Sequence, residues 1–198
     1  MDTAVIRAIN RLWLPVYPGL ARQAAEQCSQ QPRRILEVGC FSGGTAFELL
    51  NIFPDSTVTI ALELPGLAAS FFQDWRSAAA DRSRICIIST PLVPLALHDA
   101  VFDLVACRGV FFFLDEKAEL LAELFRVCAP GGAVFAGGGF GSSTPQSVIA
   151  PIADKSRRLN YALGKKVVSP KQFRTMLERN GLGADILHDG GLWALIQK

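Results

Sequence analysis

Histidine is nearly missing from this chain: only His98 and His188 occur in 198 residues, and neither stands near a pair of cysteines. The five cysteines, Cys28, Cys40, Cys86, Cys107 and Cys128, contain no C-x-x-C spacing, so the usual zinc ligand patterns are excluded and no metal is expected. An odd, dispersed set, mostly in or beside apolar runs, fits reduced thiols that act as small hydrophobes. No uninterrupted apolar run reaches about 18 residues, and no basic segment with a long apolar core opens the chain. A soluble, unexported, cytoplasmic protein with no membrane contact is the expectation. Charge of one sign is scarce as well. The net charge is +2 and only 19% of residues are charged, which gives no electrostatic case for nucleic acid. Repeats and low-complexity linkers are absent.

What is present is apolar and regularly spaced. Half of the residues are hydrophobic, and 198 residues suit one domain with a single large core. From Arg33 onward, strand-like runs alternate with helical ones, the pattern of parallel βαβ units. Arg34 to Val38, Thr57 to Leu62, Arg84 to Ser89, Phe102 to Ala106 and Ala133 to Ala136 are nearly continuous in apolar or β-branched residues, as strands covered on both faces should be. Between them, Thr45 to Phe53, Gly66 to Ala80 and Glu116 to Cys128 read as helices, the last stopped by Ala129-Pro130-Gly131-Gly132. Ser143-Thr144-Pro145 predicts a capped helix running to about Leu163, and Ser169-Pro170 predicts another ending near Asn180-Gly181. Ala184 to His188 and Leu192 to Gln197, joined by Asp189-Gly190-Gly191, predict an antiparallel hairpin at a sheet edge. The first 30 residues read as one or two helices interrupted at Pro15 and Pro18.

The chemistry-bearing run is Ile35-Leu36-Glu37-Val38-Gly39-Cys40-Phe41-Ser42-Gly43-Gly44-Thr45, an apolar strand, an acidic residue, a glycine turn and a helix start. Glycines let a backbone approach a ligand, and the N–H groups that open a helix favour carboxylate or phosphate. A strand-to-helix turn also needs glycine for steric reasons alone. Glu63 stands 20 positions after Gly43 at the end of the second strand, where a carboxylate accepts both hydroxyls of a ribose. That spacing suits a nicotinamide dinucleotide as well as an adenosyl cofactor.

Three later segments follow in order: Val101-Phe102-Asp103-Leu104-Val105, Arg108-Gly109-Val110, and Leu124 through Gly132. With them the chain, from Pro32 to Lys198, resembles the class I S-adenosylmethionine-dependent methyltransferases of the small-molecule type. The resemblance implies an α/β fold: a single Rossmann-like, doubly wound sheet of seven strands with an antiparallel last strand. Residues 1–31 would form an N-terminal helical cap, and residues 140–169 an insertion shaping the acceptor pocket. The implied cofactor is S-adenosyl-L-methionine, with S-adenosyl-L-homocysteine as product. Carried over by position, Glu37 is a cofactor-binding residue together with Gly39, Phe41 and Gly43, and the backbone around those three lies against the methionine and ribose. Glu63 binds the ribose hydroxyls, Leu64 packs on the adenine, Thr90 and Pro91 reach the adenine edge, and Arg108 with Gly109 lines the floor beneath the sulfonium. Leu14 through Ala21 is similar to a segment that caps the cofactor; Tyr17 either closes over the cofactor with its hydroxyl near the carboxylate or serves packing alone. Phe41 replaces a common glycine, and Thr90 replaces a common acidic residue.

Three function classes follow. The first is methyl transfer to a small-molecule acceptor, the second a non-catalytic ligand-binding or partner protein that keeps the fold. The third, a nicotinamide oxidoreductase, has the poorer glycine pattern, since Phe41 takes the second glycine position. No side chain is singled out as a catalytic base; His98 and His188 read as structural. Gly137-Gly138-Gly139-Phe140-Gly141 is either a flexible turn or a close-approach site for substrate. Lys155, Arg157, Arg158, Lys165 and Lys166 serve either an anionic substrate or a solvated helix face, and one of Phe111, Phe112 and Phe113 is available as an apolar wall.

Overall fold

The computed structural model describes residues 2–64, 66–67, 82–114 and 117–198. The helix expected over Gly66 to Ala80, with Phe71, Phe72 and Trp75, lies almost wholly outside the described residues. Two helices, α1 (Thr3–Leu12) and α2 (Tyr17–Ala25), precede β1 (Arg34–Val38), α3 (Gly44–Ile52), β2 (Thr57–Leu62) and β3 (Ile85–Ser89). Then come β4 (Phe102–Arg108), a 3-10 turn (Val110–Phe113), α4 (Leu120–Val127) and β5 (Cys128–Gly139). The chain ends with α5 (Gln146–Ile149), α6 (Ala153–Ala162), α7 (Pro170–Arg179), β6 (Asp185–Leu187) and β7 (Gly191–Gln197).

The seven strands form one sheet in the order β3-β2-β1-β4-β5-β7-β6. β1 to β5 run parallel, whereas β7 lies antiparallel between β5 and β6, as the terminal hairpin requires. Alternation within strands divides the core into two layers. Ile35, Leu104 and Phe135 pack with α1, α2 and α3, while Leu36, Val105 and Val134 pack with α4 and α7. Both faces are therefore covered, which explains the unbroken apolar runs. On α1, Ile6 and Ile9 are completely buried, and each contributes about 1.5–3 kcal/mol by leaving water.

Several boundaries differ from the sequence expectations for identifiable reasons. Pro18 does not interrupt the second helix; it occupies its first turn, where no N–H partner is lost. The fourth strand extends through Arg108, which brings that residue into the sheet edge. The expected helix from Pro145 to Leu163 is two helices, α5 and α6, separated around Pro151, whose ring does not fit a helix interior. Ser143 and Thr144 do not cap it, since Pro145 holds the N-cap position of α5 without a side-chain hydrogen bond and the Thr144 hydroxyl donates to the Phe140 carbonyl. Gly137 to Gly139 are part of β5, paired with Trp193, Leu192 and Gly191. A Cβ on Gly137 would meet the Leu192 carbonyl and the Trp193 backbone, and that crowding is why glycines stand there. The Ser169 cap of α7 is present as expected: Gln172 N–H donates to the Ser169 hydroxyl (3.2 Å), and Ser169 N–H donates to the Gln172 side chain (2.8 Å).

Candidate active site

The glycine turn is organised from beneath by Glu37. Its side chain is fully buried at the end of β1, and Oε2 accepts the N–H groups of Gly43 (2.5 Å) and Ala46 (3.0 Å) at the start of α3. A carboxylate reaching from a strand thus caps a helix whose own first residue, a glycine, has no side chain to do so. Burial pushes the Glu37 carboxyl above its ordinary range, opposed by those two N–H donors and by Arg108 and Thr45. Because the folded pKa is raised, the stability present below the ordinary carboxyl value of 4.5 is lost as pH rises through the folded value. Glu37→Gln removes this titration. Its melting temperature relative to wild type is expected to climb with pH above about 4.5 in calorimetric scans, and a pH-independent difference would contradict the assignment.

The turn closes over Glu37 with Gly39 at φ 105° and Gly43 at φ 114°, both left-handed conformations that favour glycine. Gly39 N–H donates to the Ala61 carbonyl (2.9 Å), tying the turn to the end of β2. These glycines also serve internal packing. A Cβ on Gly39 would collide with Val110, and one on Gly44 would collide with the Tyr17 ring. Within the turn the Ser42 hydroxyl is buried without a partner among the described residues.

Arg108, at the end of β4, is the centre of the arrangement. The side chain is buried, and Nη2 donates to the Phe41 carbonyl (2.9 Å), the Tyr17 hydroxyl (3.2 Å) and Asn10 Oδ1 (3.2 Å). Its guanidinium carbon lies 4.5 Å from the Trp13 ring centre, 5.2 Å from that of Phe41 and 5.3 Å from that of Tyr17, a three-sided cation–π box. Nε is buried and has no partner among the described residues. The Tyr17 hydroxyl also donates to Asn10 Oδ1 (3.3 Å), and burial pushes its pKa up to about 12, with Arg108 opposing. The following Gly109, at φ 75°, donates its N–H to the Gly137 carbonyl (2.6 Å) and lets the chain turn into Val110–Phe113.

Glu63 is exposed just beyond β2, with Leu64 half-buried beside it. Thr90 N–H donates to the Leu62 carbonyl (3.0 Å), which sets the β3 end next to them. The Thr90 hydroxyl is turned into its own loop: it donates to the Pro91 carbonyl (3.0 Å) and accepts the Ala96 N–H (2.8 Å). Pro91 is exposed. Burial raises the Cys40 thiol pKa to about 11, with Arg108 opposing and Glu63 adding to the rise.

A cavity of about 300 Å³ adjoins Arg108 on the β5 side. Its walls include Trp13, Phe41, Phe112 and Phe140, and its polar lining includes Asn160 and Lys165. Of the three consecutive phenylalanines, Phe112 is the wall. Phe111 is buried against Phe173 at 4.5 Å, and Phe113 lies beside Phe41 at 5.9 Å. From the basic cluster, Arg157 and Lys165 reach the cavity, while Lys155 and Arg158 face solvent. His98 and His188 are exposed and do not line it. Among the described residues no group of histidine, cysteine and acidic side chains has metal-ligand geometry, and no helix is long and apolar enough to cross a membrane.

Two residues of the site were not anticipated from the sequence. Asn10 and Trp13 reach over from α1: Asn10 Nδ2 donates to the Cys40 carbonyl (3.4 Å), and Trp13 stacks on Phe140 (4.8 Å) and donates to Ser156 Oγ (2.8 Å). Their spacing with Tyr17, at 10, 13 and 17, is a helical face that continues across Pro15 and was available as a signal.

The strand order with its antiparallel β7, the acidic strand end and the glycine turn agree with the comparison of the sequence to known families. The family described as methyltransferase domain matches residues 36–136, just over half of the chain. The chain belongs to the class I S-adenosylmethionine-dependent methyltransferases. It is 31% identical over 109 residues to a demethylmenaquinone methyltransferase of Deinococcus radiodurans, covering 55% of this chain and 44% of that protein. It is also 31% identical over 114 residues to a malonyl-[acyl-carrier protein] O-methyltransferase of Geobacter sulfurreducens, covering 58% and 41%. This methyltransferase-family chain thus aligns with less than half the length of those relatives. Among solved structures, a Methanococcus maripaludis protein described as a candidate S-adenosyl-L-methionine-dependent methyltransferase superposes with a TM-score of 0.78 at 21% identity, over 100% of this chain and 93% of that one. At that identity the likeness speaks for the fold.

Proposed function

We propose that this chain binds S-adenosyl-L-methionine across the glycine turn and transfers its methyl group to a small, anionic acceptor held in the cavity beside Arg108. When bound, the cofactor supplies a methyl group on a positively charged sulfur. Everything else falls to the protein, which must orient the partners and keep water out, effects worth roughly 7–11 kcal/mol of barrier when the alignment is good. The exposed Glu63 carboxylate suits the ribose hydroxyls, with Leu64 and Pro91 against the adenine and the Gly39–Gly43 backbone along the chain of the cofactor. Arg108 and the Tyr17 hydroxyl suit the amino-acid carboxylate, and the orphaned Ser42 hydroxyl is a further polar group in the turn. Thr90 contributes through the shape of its loop, because its hydroxyl already has two partners there.

The observation that carries the reading is the cavity itself. Phe41 and Arg108 belong both to the glycine-turn side and to the cavity wall, so one contiguous site serves two ligands. An open cavity also weighs against the non-catalytic alternative, which calls for a blocked acceptor side. The aromatic walls favour a flat or apolar body, and the Arg157 guanidinium favours a carboxylate or phosphate on it. In the expected result, protein incubated with methyl-labelled cofactor and a small-molecule cell extract labels acidic metabolites, and Arg157→Ala raises the acceptor KM with little change in cofactor affinity. Label confined to neutral or cationic products would overturn the anionic acceptor.

A further inference from the structure

The same cavity contains one side chain suited to move a proton. The titratable side chains lining it are Arg108, Arg157, Tyr161 and Lys165; among the described residues no carboxylate or histidine lines it. Arginine does not release its proton near neutral pH, and Tyr161 is 52% exposed at the rim. The geometry points to Lys165 as the residue that takes the proton from the reacting hydroxyl of the acceptor. This rests on the methyl-transfer reading of the cavity and adds a catalytic residue to it.

Lys165 is held in place by its backbone on both sides. Helix α6 ends at Ala162, and the chain turns at Gly164, φ 86°, with Gly164 N–H donating to the Tyr161 carbonyl (2.9 Å) and Lys165 N–H donating to the Asn160 carbonyl (3.1 Å). That is the Schellman ending, which turns the chain sharply at glycine. One residue later, Lys166 N–H donates to the Phe112 carbonyl (3.0 Å), pinning the segment to the 3-10 turn after β4. Between those anchors the Lys165 ammonium is directed over the Phe112 ring, 3.8 Å from its centre, on the cavity wall. Lys166 is engaged elsewhere, its Nζ donating to the Leu114 carbonyl (3.1 Å).

The electrostatic setting favours a neutral amine. Burial lowers the Lys165 pKa below the ordinary 10.5. The other charges on the cavity, Arg108 from β4 and Arg157 from α6, are cations, and Asp154, the acid on α6, is bound to Arg157 at 2.6 Å. The Phe112 face favours the ammonium and limits the shift. In the transfer, the acceptor O–H bond breaks and its proton goes to the Lys165 lone pair. The oxygen would use that electron pair for its new bond to the methyl carbon, and the S–C bonding pair would leave with the sulfur of the bound cofactor, which becomes a neutral thioether. The ammonium then returns its proton to solvent.

Two measurements test this. In competitive acetylation with acetic anhydride, followed by mass spectrometry on the ligand-free protein, Lys165 is expected to titrate below the exposed Lys171. In the labelled-methyl assay with cell extract, Lys165→Met and Lys165→Arg are both expected to lose roughly 10²–10⁴-fold of transfer, to lose the rising limb of the pH–rate profile, and to keep wild-type cofactor affinity. Transfer retained by Lys165→Arg would show that charge suffices and would overturn the proposal, as would Lys165 titrating with Lys171. Should the cofactor bind while the extract accepts no label, the titration alone decides. Failure of the cofactor to bind would overturn the methyl-transfer reading, and this proposal with it.

Discussion

Gly39→Ala is expected to lower the melting temperature by roughly 5–20 °C and to abolish cofactor binding. Two independent terms add. At φ 105° an alanine is strained by about 1–3 kcal/mol, and its Cβ would press into Val110, a stiff β-branched side chain that is itself buried, for about 1–3 kcal/mol more. For a chain of this size each kcal/mol moves the midpoint by about 2–4 °C. Val110→Ala in the same protein should recover the packing part but not the backbone part, so the double variant lands between. Calorimetric unfolding checks both; full recovery in the double variant would show that backbone strain at Gly39 is negligible.

The second large effect is at Arg108. Arg108→Leu removes the donor shared by the Phe41 carbonyl, the Tyr17 hydroxyl and Asn10, and empties the box formed by Trp13, Tyr17 and Phe41. Buried acceptors left unmet cost about 1–3 kcal/mol each, softened here because Tyr17 and Asn10 still have each other. A loss of about 2–4 kcal/mol is expected, with cofactor and acceptor binding both weakened, because one guanidinium touches both sides. Arg108→Lys keeps the charge but not the planar stacking, and should recover less than half of the loss. Wild-type affinity for both ligands in Arg108→Leu, measured on folded protein, would remove Arg108 from the site.

The order of elements was legible in the sequence because strands covered on both faces cannot alternate; their apolar runs from Ile35 to Val134 mark the sheet without ambiguity. The glycine turn, the position of Glu63 just after β2 and the hairpin were legible for the same reason, each being tied to a strand end. Gly137 to Gly139 misled as a turn, since they continue β5 and at Gly137 the lack of a side chain admits Trp193, which stacks on Phe135 at 4.5 Å; the close-approach alternative fits Gly138 and Gly139, which line the cavity. Contacts between distant segments left no local trace. Nothing near Asn10 or Trp13 announces Arg108, some 95 residues away, and nothing near Thr90 shows that its hydroxyl is used by Ala96. Lys165 was visible only as one of five basic residues; the turn at Gly164 that sets its direction emerges from the structure.

Isothermal titration calorimetry with S-adenosyl-L-methionine and S-adenosyl-L-homocysteine tests the central claim most directly. Both ligands are expected to bind at one site per chain, with Glu63→Ala weakening each by roughly 10–100-fold, the worth of a hydrogen-bonded carboxylate on the ribose. No heat from either ligand at millimolar concentration, or equal affinity in Glu63→Ala, would contradict it.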